Sequence, residues 1–369
     1  MQSRLSRTVE SLMILVLAIV VVNISGCGGN TSTPAPNTGN GTTPSANSGS
    51  TAGTPSAPMN PSQAAGTFTP TGNMAIARAA HWARLLPDGT VLIVGGKSCV
   101  LCASDPAENS AELYDPTTGQ FTSTTVTFTT RGRHNALILP NGTVVIVGGI
   151  ELQDGRTLIT NEVNAEVYDP VTDTLVVAGA YVHPTPVTWT TGTLLMDGRV
   201  LITGCAEQCS VGVTELYDAK SGTFSSTGRM KGWFNENTAT LLADGRILFV
   251  GNAENDGSPG EAEFYDPVPG TFTFIGNTNA PHEFSAAVRL LDGSVLIAGG
   301  QVPGGDGSSG ADLYIPATGT FISAGYMNVG RHEHTATLLR DGSVLIAGGY
   351  SVWPIPTATA EIYKPPVAH

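Results

Sequence analysis

The sequence predicts an all-β fold, a six-bladed β-propeller with four antiparallel strands in each blade. A turn dipeptide, Asp-Gly or Asn-Gly, recurs six times after residue 67, and a glycine follows each one at a constant distance. A tyrosine comes next in every unit, and the period of about 50 residues is in the range of propeller blades. We number the units by these turns, which begin at Asp88, Asn141, Asp197, Asp244, Asp292 and Asp341.

Each unit contains two predicted hairpins. In unit one, "HWARLLPDGTVLIVGG" is two apolar runs joined by Asp88-Gly89, a strong hairpin signal. We name these strands A and B, and their continuous apolar character predicts burial on both faces, between stacked sheets. "AELYDPTTGQFT" alternates in polarity, turns at Asp-Pro-x-x-Gly and supplies strands C and D. Since Pro or Gly interrupts every helical window, an amphipathic helix is excluded.

A tyrosine on strand C pairs by spacing with an apolar residue on strand D. The pairs are Tyr114/Phe121, Tyr168/Leu175, Tyr217/Phe224, Tyr265/Phe272 and Tyr314/Phe321. Tyr363 has no such residue after it, and Phe68, in the isolated "GTFT", has no tyrosine before it. We therefore predict that residues 67–71 form strand D of unit six. That strand closes the ring and removes the edges of an open sheet.

The N-terminal region has the pattern of an export signal over residues 1–26. Arg4 and Arg7 precede the apolar run at 11–22, which is shorter than the roughly 20 residues of a membrane span. "Ile-Ser-Gly-Cys" then resembles the lipobox of bacterial lipoproteins, which implies lipidation of Cys27. We expect an exported chain, anchored to the bacterial membrane on its periplasmic or cell-surface side. An uncleaved anchor is the alternative.

Residues 27–66 predict a disordered tether, because this Ser/Thr/Gly/Pro/Asn-rich segment cannot bury enough apolar surface to offset its ordering entropy. The propeller is then expected over residues 67–369, as a monomer. The formal net charge of −13 argues against nucleic-acid binding.

The units resemble the kelch repeat, in which a Gly-Gly pair precedes a tyrosine and then an aromatic residue. Gly-Gly stands at 95–96, 148–149, 299–300 and 348–349, and it is altered in units three and four. The resemblance covers residues 67–365. It is closest to exported bacterial kelch propellers, within the galactose-oxidase central-domain-like superfamily but without that oxidase's copper site. It implies the fold far more than a function, because these propellers include both binding scaffolds and enzymes.

Function is expected where the units differ. The segments between strands D and A, and between B and C, share one face of the ring, which we call the D–A/B–C face. Arg-x-x-His occurs in three neighbouring units of that face, where the D–A segments carry more basic than acidic residues. The predicted ligand-binding residues are Arg78, His81, Arg131, His134, Trp189, Trp233, Asn237, Arg331 and His334. An anionic or polyhydroxylated ligand fits this set. The alternative is that Arg and His hold neighbouring blades together.

The acidic residue before each strand-C tyrosine recurs in every unit, so we expect it to be structural. His332 and His334 alternate on a strand, but two ligands are not a metal site, and the sequence indicates no metal and no cofactor. In an exported chain, Cys99/Cys102 and Cys205/Cys209 predict two local disulfides, with a zinc site as the alternative.

These features predict a membrane-tethered binding module of the cell envelope, with an unidentified protein or carbohydrate ligand. No catalytic residue is assigned. The first alternative is an envelope enzyme acting on small sugars, by analogy with the kelch-type sialate mutarotase. The second is a structural protein of envelope assembly.

Overall fold

The computed structural model describes residues 66–98, 110–124, 132–139, 141–153, 156–158, 164–169, 172, 174–183, 188–206, 211–231, 237–251 and 257–366. Every regular element in these ranges is a β-strand, as predicted. A search of the same ranges finds no helix suited to crossing a membrane. The described residues belong to one unit of the chain, and a second unit, Gly26–Ala64, lies outside them.

The strands fall into sheets that follow the repeat units. Unit one contains β2 (Trp82–Leu85), β3 (Val91–Val94), β4 (Ala111–Asp115) and β5 (Gln120–Ser123). Unit two contains β6 (Gly132–Ile138), β7 (Val144–Gln153), β8 (Arg156–Leu158), β9 (Asn164–Asp169) and β10 (Thr174–Ala180). Unit three contains β11 (Thr188–Leu194), β12 (Val200–Ala206), β13 (Val211–Asp218) and β14 (Thr223–Ser226). Unit four contains β15 (Thr238–Leu241), β16 (Ile247–Gly251), β17 (Glu261–Asp266) and β18 (Thr271–Asn277). Unit five contains β19 (Ala286–Arg289), β20 (Val295–Ala298), β21 (Gly310–Ile315) and β22 (Thr320–Tyr326). Unit six contains β23 (Thr335–Leu338), β24 (Val344–Ala347), β27 (Ala360–Lys364) and β1 (Thr67–Pro70), and the hairpin of β25 (Tyr350–Val352) and β26 (Ile355–Pro356) lies in its B–C segment.

The strand count differs from the prediction in unit two. Five sheets have four strands, so there are five four-stranded blades rather than the predicted six, and the sheet of unit two has five strands. In units one, five and six, strand B ends at a Gly-Gly pair whose φ angles are positive. In unit two the ladder continues, with Gly148 still paired to His134, and β8 folds back onto the far end of β7. Strand B of unit two is therefore long enough to pair with an additional strand.

The N-terminal strand closes the sheet of unit six, as predicted. β1 pairs antiparallel with β27, and Phe68 lies directly opposite Tyr363. The other four aromatic pairs and Tyr168/Leu175 are also in register across strands C and D. The tyrosine spacing thus gave the correct pairing of strand D in every unit.

The apolar core is divided among the sheets. Strand B is fully buried in units one, four, five and six, in agreement with its continuous apolar sequence. One cluster joins Leu296 and Leu313 of unit five to Ile346 and Tyr363 of unit six. Similar clusters join units six and one, two and three, three and four, and four and five. Face-to-face packing of neighbouring sheets therefore supplies most of the hydrophobic stabilisation.

Strand A is the innermost strand. The A strands lie next to one another in the order β6, β11, β15, β19, β23 and β2. The D–A segments of units one, five and six, which are described to their ends, therefore place their last residues at the centre of one face, beside the B–C segments.

Candidate functional site

Arg78, a predicted ligand residue, lies in the interior of unit one. Its side chain is 0% exposed and its Nη2 donates to Glu112 Oε1 at 2.9 Å. Its Nη1 donates to the carbonyl oxygens of Gly95 and Ser110. The guanidinium therefore joins the D–A segment to the end of strand B and the start of strand C within its own unit.

Arg331 repeats this arrangement in unit six. Its Nη2 donates to Glu361 Oε1 at 2.9 Å, and its Nη1 donates to the carbonyl oxygens of Gly348 and Thr359. In unit five, His282 replaces the arginine and Asp312 the glutamate, with Nε2 and Oδ2 3.0 Å apart. The side chains of Arg78 and Arg331, the described arginines of the Arg-x-x-His pairs, thus form buried ion pairs within their own units, whereas the alternative expected from the sequence had them holding neighbouring blades together.

In the five units where its side chain is described, the acidic residue before the tyrosine also binds backbone amides. Glu361 accepts from the amides of Asn328 and Val329, and Glu215 accepts from those of Val182 and His183. Equivalent bonds reach Glu112, Glu263 and Asp312. These carboxylates satisfy the amides of the incoming D–A turn, so their recurrence in the repeat reflects folding.

His81 and His334 pack between neighbouring units. A Cβ built on Gly348 would lie 2.6 Å from His81 Cε1, and one built on Gly299 would lie 2.6 Å from His334 Cε1. Each imidazole therefore fits against a glycine of the preceding unit that has no room for a side chain. His81 Nε2 also lies 2.9 Å from Thr335 Oγ1 of unit six. Burial lowers the pKa of His81 to about 3 and that of His334 well below its ordinary value, so both are neutral.

The residue before each of these histidines adopts a left-handed backbone. Ala80 and Glu333 have φ of 51°, and Phe284 occupies the same place in unit five with φ of 54°. Backbone bonds link these positions, because Glu333 N donates to Phe284 O and Ala80 N donates to Glu333 O. The connected turns bring one non-repeated residue from each of these units to the centre of the D–A/B–C face.

Glu283 and Gln301 form an unsatisfied polar pair on this face. They lie opposite each other in an antiparallel bridge, with Gln301 N donating to Glu283 O at 2.7 Å. The residues are 9% and 6% exposed. Among the described residues no donor reaches Glu283 Oε2 or Gln301 Oε1. Burial raises the pKa of Glu283 to about 7.

Aromatic side chains lie beside this pair, in unit six. The His332 ring lies 5.9 Å from Phe284, 5.3 Å from Tyr350 and 6.1 Å from the half-buried Trp353, with which it is stacked. His332 Nε2 lies 3.0 Å from the carbonyl oxygen of Gly305, in the B–C segment of unit five. The cluster therefore joins two B–C segments to a D–A turn.

Several predicted site residues cannot be placed. Arg131 and Trp233 lie outside the described residues, as do the side chains of His134 and Trp189. Asn237 is described and buried, with Nδ2 3.7 Å from Met230 Sδ. Cys99, Cys102 and Cys209 and the side chain of Cys205 also lie outside, so both disulfides stay predictions.

The described histidines do not form a metal centre. In the described ranges, no group of three or more His, Cys, Asp or Glu side chains is placed to hold a metal ion. His332 contacts a backbone carbonyl while His334 packs against Gly299, so the two do not converge as ligands.

The arrangement of the sheets is shared with a known enzyme. A fungal alcohol oxidase of the AA5 family, solved in complex with copper, superposes with a TM-score of 0.55 and covers 82% of this chain and 77% of its own. The chain has the β-propeller fold. Sequence identity to the oxidase is 15%, so the likeness concerns the fold alone. No protein-family profile and no curated protein sequence matches this propeller chain. Because the described residues offer no donor set for copper, we derive no copper chemistry for it.

Sequence reasoning missed Glu283 and Gln301. Their unit-six counterparts, His332 and Tyr350, and their unit-one counterparts, Ala79 and Lys97, share the same bridge. The bridge recurs in these units, but the residues that form it differ from unit to unit. This difference was the signal that could have identified the pair.

Proposed function

We propose that this propeller is a membrane-tethered binding module of the bacterial cell envelope, whose ligand contacts the D–A/B–C face. The observation that carries this proposal is the contrast between two sets of polar groups. The repeated carboxylates, such as Glu361, accept hydrogen bonds from an arginine or from backbone amides inside the units. Glu283 and Gln301 do not recur, and their buried acceptor oxygens have no donor within the described ranges. Unsatisfied buried acceptors cost stability, which a ligand that donates hydrogen bonds would recover.

A glycan is the ligand class that this face fits best. Its hydroxyl groups would donate to the free acceptors, while a sugar ring packs on the half-buried Trp353. The anionic ligand suggested by the Arg-x-x-His pairs has less support, because Arg78 and Arg331 are each paired with a buried glutamate.

The architecture and anchor complete the proposal. The five-stranded sheet of unit two serves as the sixth blade of a kelch-type ring, which is supported by the position of its strand β6 beside β11.

Cys27 carries the lipid, and residues 27–66 act as the tether. Replacing Cys27 with Ser should move the protein from the membrane fraction to an unprocessed or released form. Membrane release of the unaltered chain without detergent would contradict the anchor.

An enzyme acting on small sugars is the second candidate. Glu283 favours it, because a carboxyl group whose pKa is about 7 suits general acid–base catalysis near neutral pH.

A glycan array decides between the two candidates. The full chain in detergent, applied to an array of envelope glycans, should bind one class of glycan and leave it chemically unchanged. Replacing Trp353 with Ala should weaken that binding by about tenfold. Conversion of a bound sugar would favour the enzyme, and the absence of both binding and conversion would contradict both candidates.

A further inference from the structure

We infer that the Glu283–Gln301 pair is a subsite for a protonated primary amine carried by the bound glycan, a conclusion that rests on the proposed function. This amine is a cation, whereas the sequence suggested an anionic or polyhydroxylated ligand. Directly opposite residues of an antiparallel pair project to the same face, with Cβ atoms about 4.5–5.5 Å apart. The two side chains therefore project to the same side of the bridge, where Glu283 Oε2 and Gln301 Oε1 are both buried.

The chemistry of this surface is that of a double acceptor. Within the described residues, both Glu283 Oε2 and Gln301 Oε1 lack a donor. An ammonium group has three donors and no acceptor, so one such group can satisfy both oxygens at once. A hydroxyl has a single donor, so two separate hydroxyls would be needed to satisfy both oxygens.

Charge favours a cation over a neutral donor. In the D–A and B–C segments of units five and six, the charged side chains are Glu283, Asp306, Arg331 and Glu333. Arg331 is paired with Glu361, while Glu283 and Asp306 give the D–A and B–C segments of unit five a net negative charge. The whole chain carries a formal charge of −13, which further attracts cations.

An aromatic cluster extends from Glu283 toward unit six. Phe284 follows Glu283 directly, and its ring lies 5.9 Å from that of His332. His332 stacks with the half-buried Trp353. Of these rings only Trp353 has appreciable exposed area, so it is the one on which a sugar with its amine at Glu283 would pack.

The inference is tested with two oligosaccharides that differ only in acetylation. A glucosamine hexamer presents free amines, and an N-acetylglucosamine hexamer presents none. Binding of each to the full chain in detergent is measured by titration calorimetry at pH 7.5. The glucosamine hexamer should bind more tightly, and Glu283→Gln should weaken it by about tenfold or more, since a hydrogen bond to a charged group is lost.

Two further variants make the result specific. Glu261→Gln, the same chemical change in unit four, should alter binding less than about threefold. Gln301→Leu removes the second acceptor, should weaken binding of the glucosamine hexamer, and replaces Glu283→Gln if that variant fails to fold. Melting temperatures check folding in each case.

Equal binding of the two hexamers, with no effect of Glu283→Gln, would overturn the amine subsite but leave glycan binding in place. Binding of neither hexamer would overturn the subsite and count against the proposed glycan. A lysine hexapeptide that binds through Glu283, when the glucosamine hexamer does not, would overturn the glycan as carrier of the amine.

Discussion

Phe68 and Tyr363 lie directly opposite each other in paired strands, with their ring centroids 4.8 Å apart. The same contact in unit one, between Tyr114 and Phe121, also has a centroid separation of 4.8 Å, but its two strands belong to one hairpin. The N-terminal strand thus reproduces a repeat contact from the far end of the chain. Closure of unit six therefore depends on residues that are remote in sequence from the rest of its sheet.

Deletion of residues 67–73 should destabilise the propeller by about 3–5 kcal/mol or more, because it removes the Phe68 side chain and leaves the edge of β27 unpaired. Urea unfolding of the purified chain measures this. Deletion of seven tether residues, 52–58, is the matched control and should change little. An unaltered unfolding midpoint after the first deletion would contradict closure by β1.

Arg331→Met should cost about 3–5 kcal/mol, because it leaves Glu361 buried without its ionic partner. The control is Arg199→Met, which breaks a pair whose side chains are 34% and 48% exposed and should cost less than about 1 kcal/mol. Chemical unfolding of both variants gives the comparison. Equal losses would mean that the buried pair does not hold unit six together.

Gly299→Ala should destabilise the fold more than Gly293→Ala. Both glycines have positive φ, so alanine is strained at either position by roughly 1–2 kcal/mol. At Gly299 the new Cβ would also lie 2.3 Å from Arg331 O and 2.6 Å from His334 Cε1, whereas at Gly293 nothing lies within 4 Å. The overpacking should add about 1–3 kcal/mol, measured as the difference in unfolding free energy. Matching values would show that the contact between units five and six relaxes without cost.

The sequence predicted the strands and their register better than the site. Phe68 could be assigned to Tyr363 because the spacing recurs in other units, and repetition is visible without coordinates. The role of Arg78 could not be decided, since Arg-x-x-His has the same sequence at a surface and in an interior. The burial of Glu283 could not be predicted, because it depends on neighbouring segments that are distant in sequence.

Stability should fall as the pH is lowered from 6.5 toward 4. The folded pKa of His81 is about 3 and that of His334 is also lowered, so the unfolded chain binds protons that the folded chain does not. This contribution is complete above the unfolded pKa of about 6.5 and is lost as the pH falls below it, by about 1.4 kcal/mol per pH unit for each histidine. Unfolding free energies of the unaltered chain and of His81→Gln measure the slope. Because one titrating histidine is removed, the slope of the variant should be smaller by about 1.4 kcal/mol per pH unit. An unchanged slope would contradict a buried neutral His81.

Glu283 should oppose this trend above pH 4.5. Its folded pKa of about 7 exceeds the ordinary glutamate pKa of 4.5, so its contribution to stability is present below pH 4.5 and is lost as the pH rises through 7. Glu283→Gln removes the titrating group and keeps the shape of the side chain. The variant's melting temperature, relative to that of the unaltered chain, should therefore rise between pH 4.5 and 8. Glu261→Gln serves as the control and should show no such rise. A constant difference between Glu283→Gln and the unaltered chain across this range would mean that the Glu283 carboxyl ionises freely in the fold, which would also remove the buried acceptor on which the amine subsite depends.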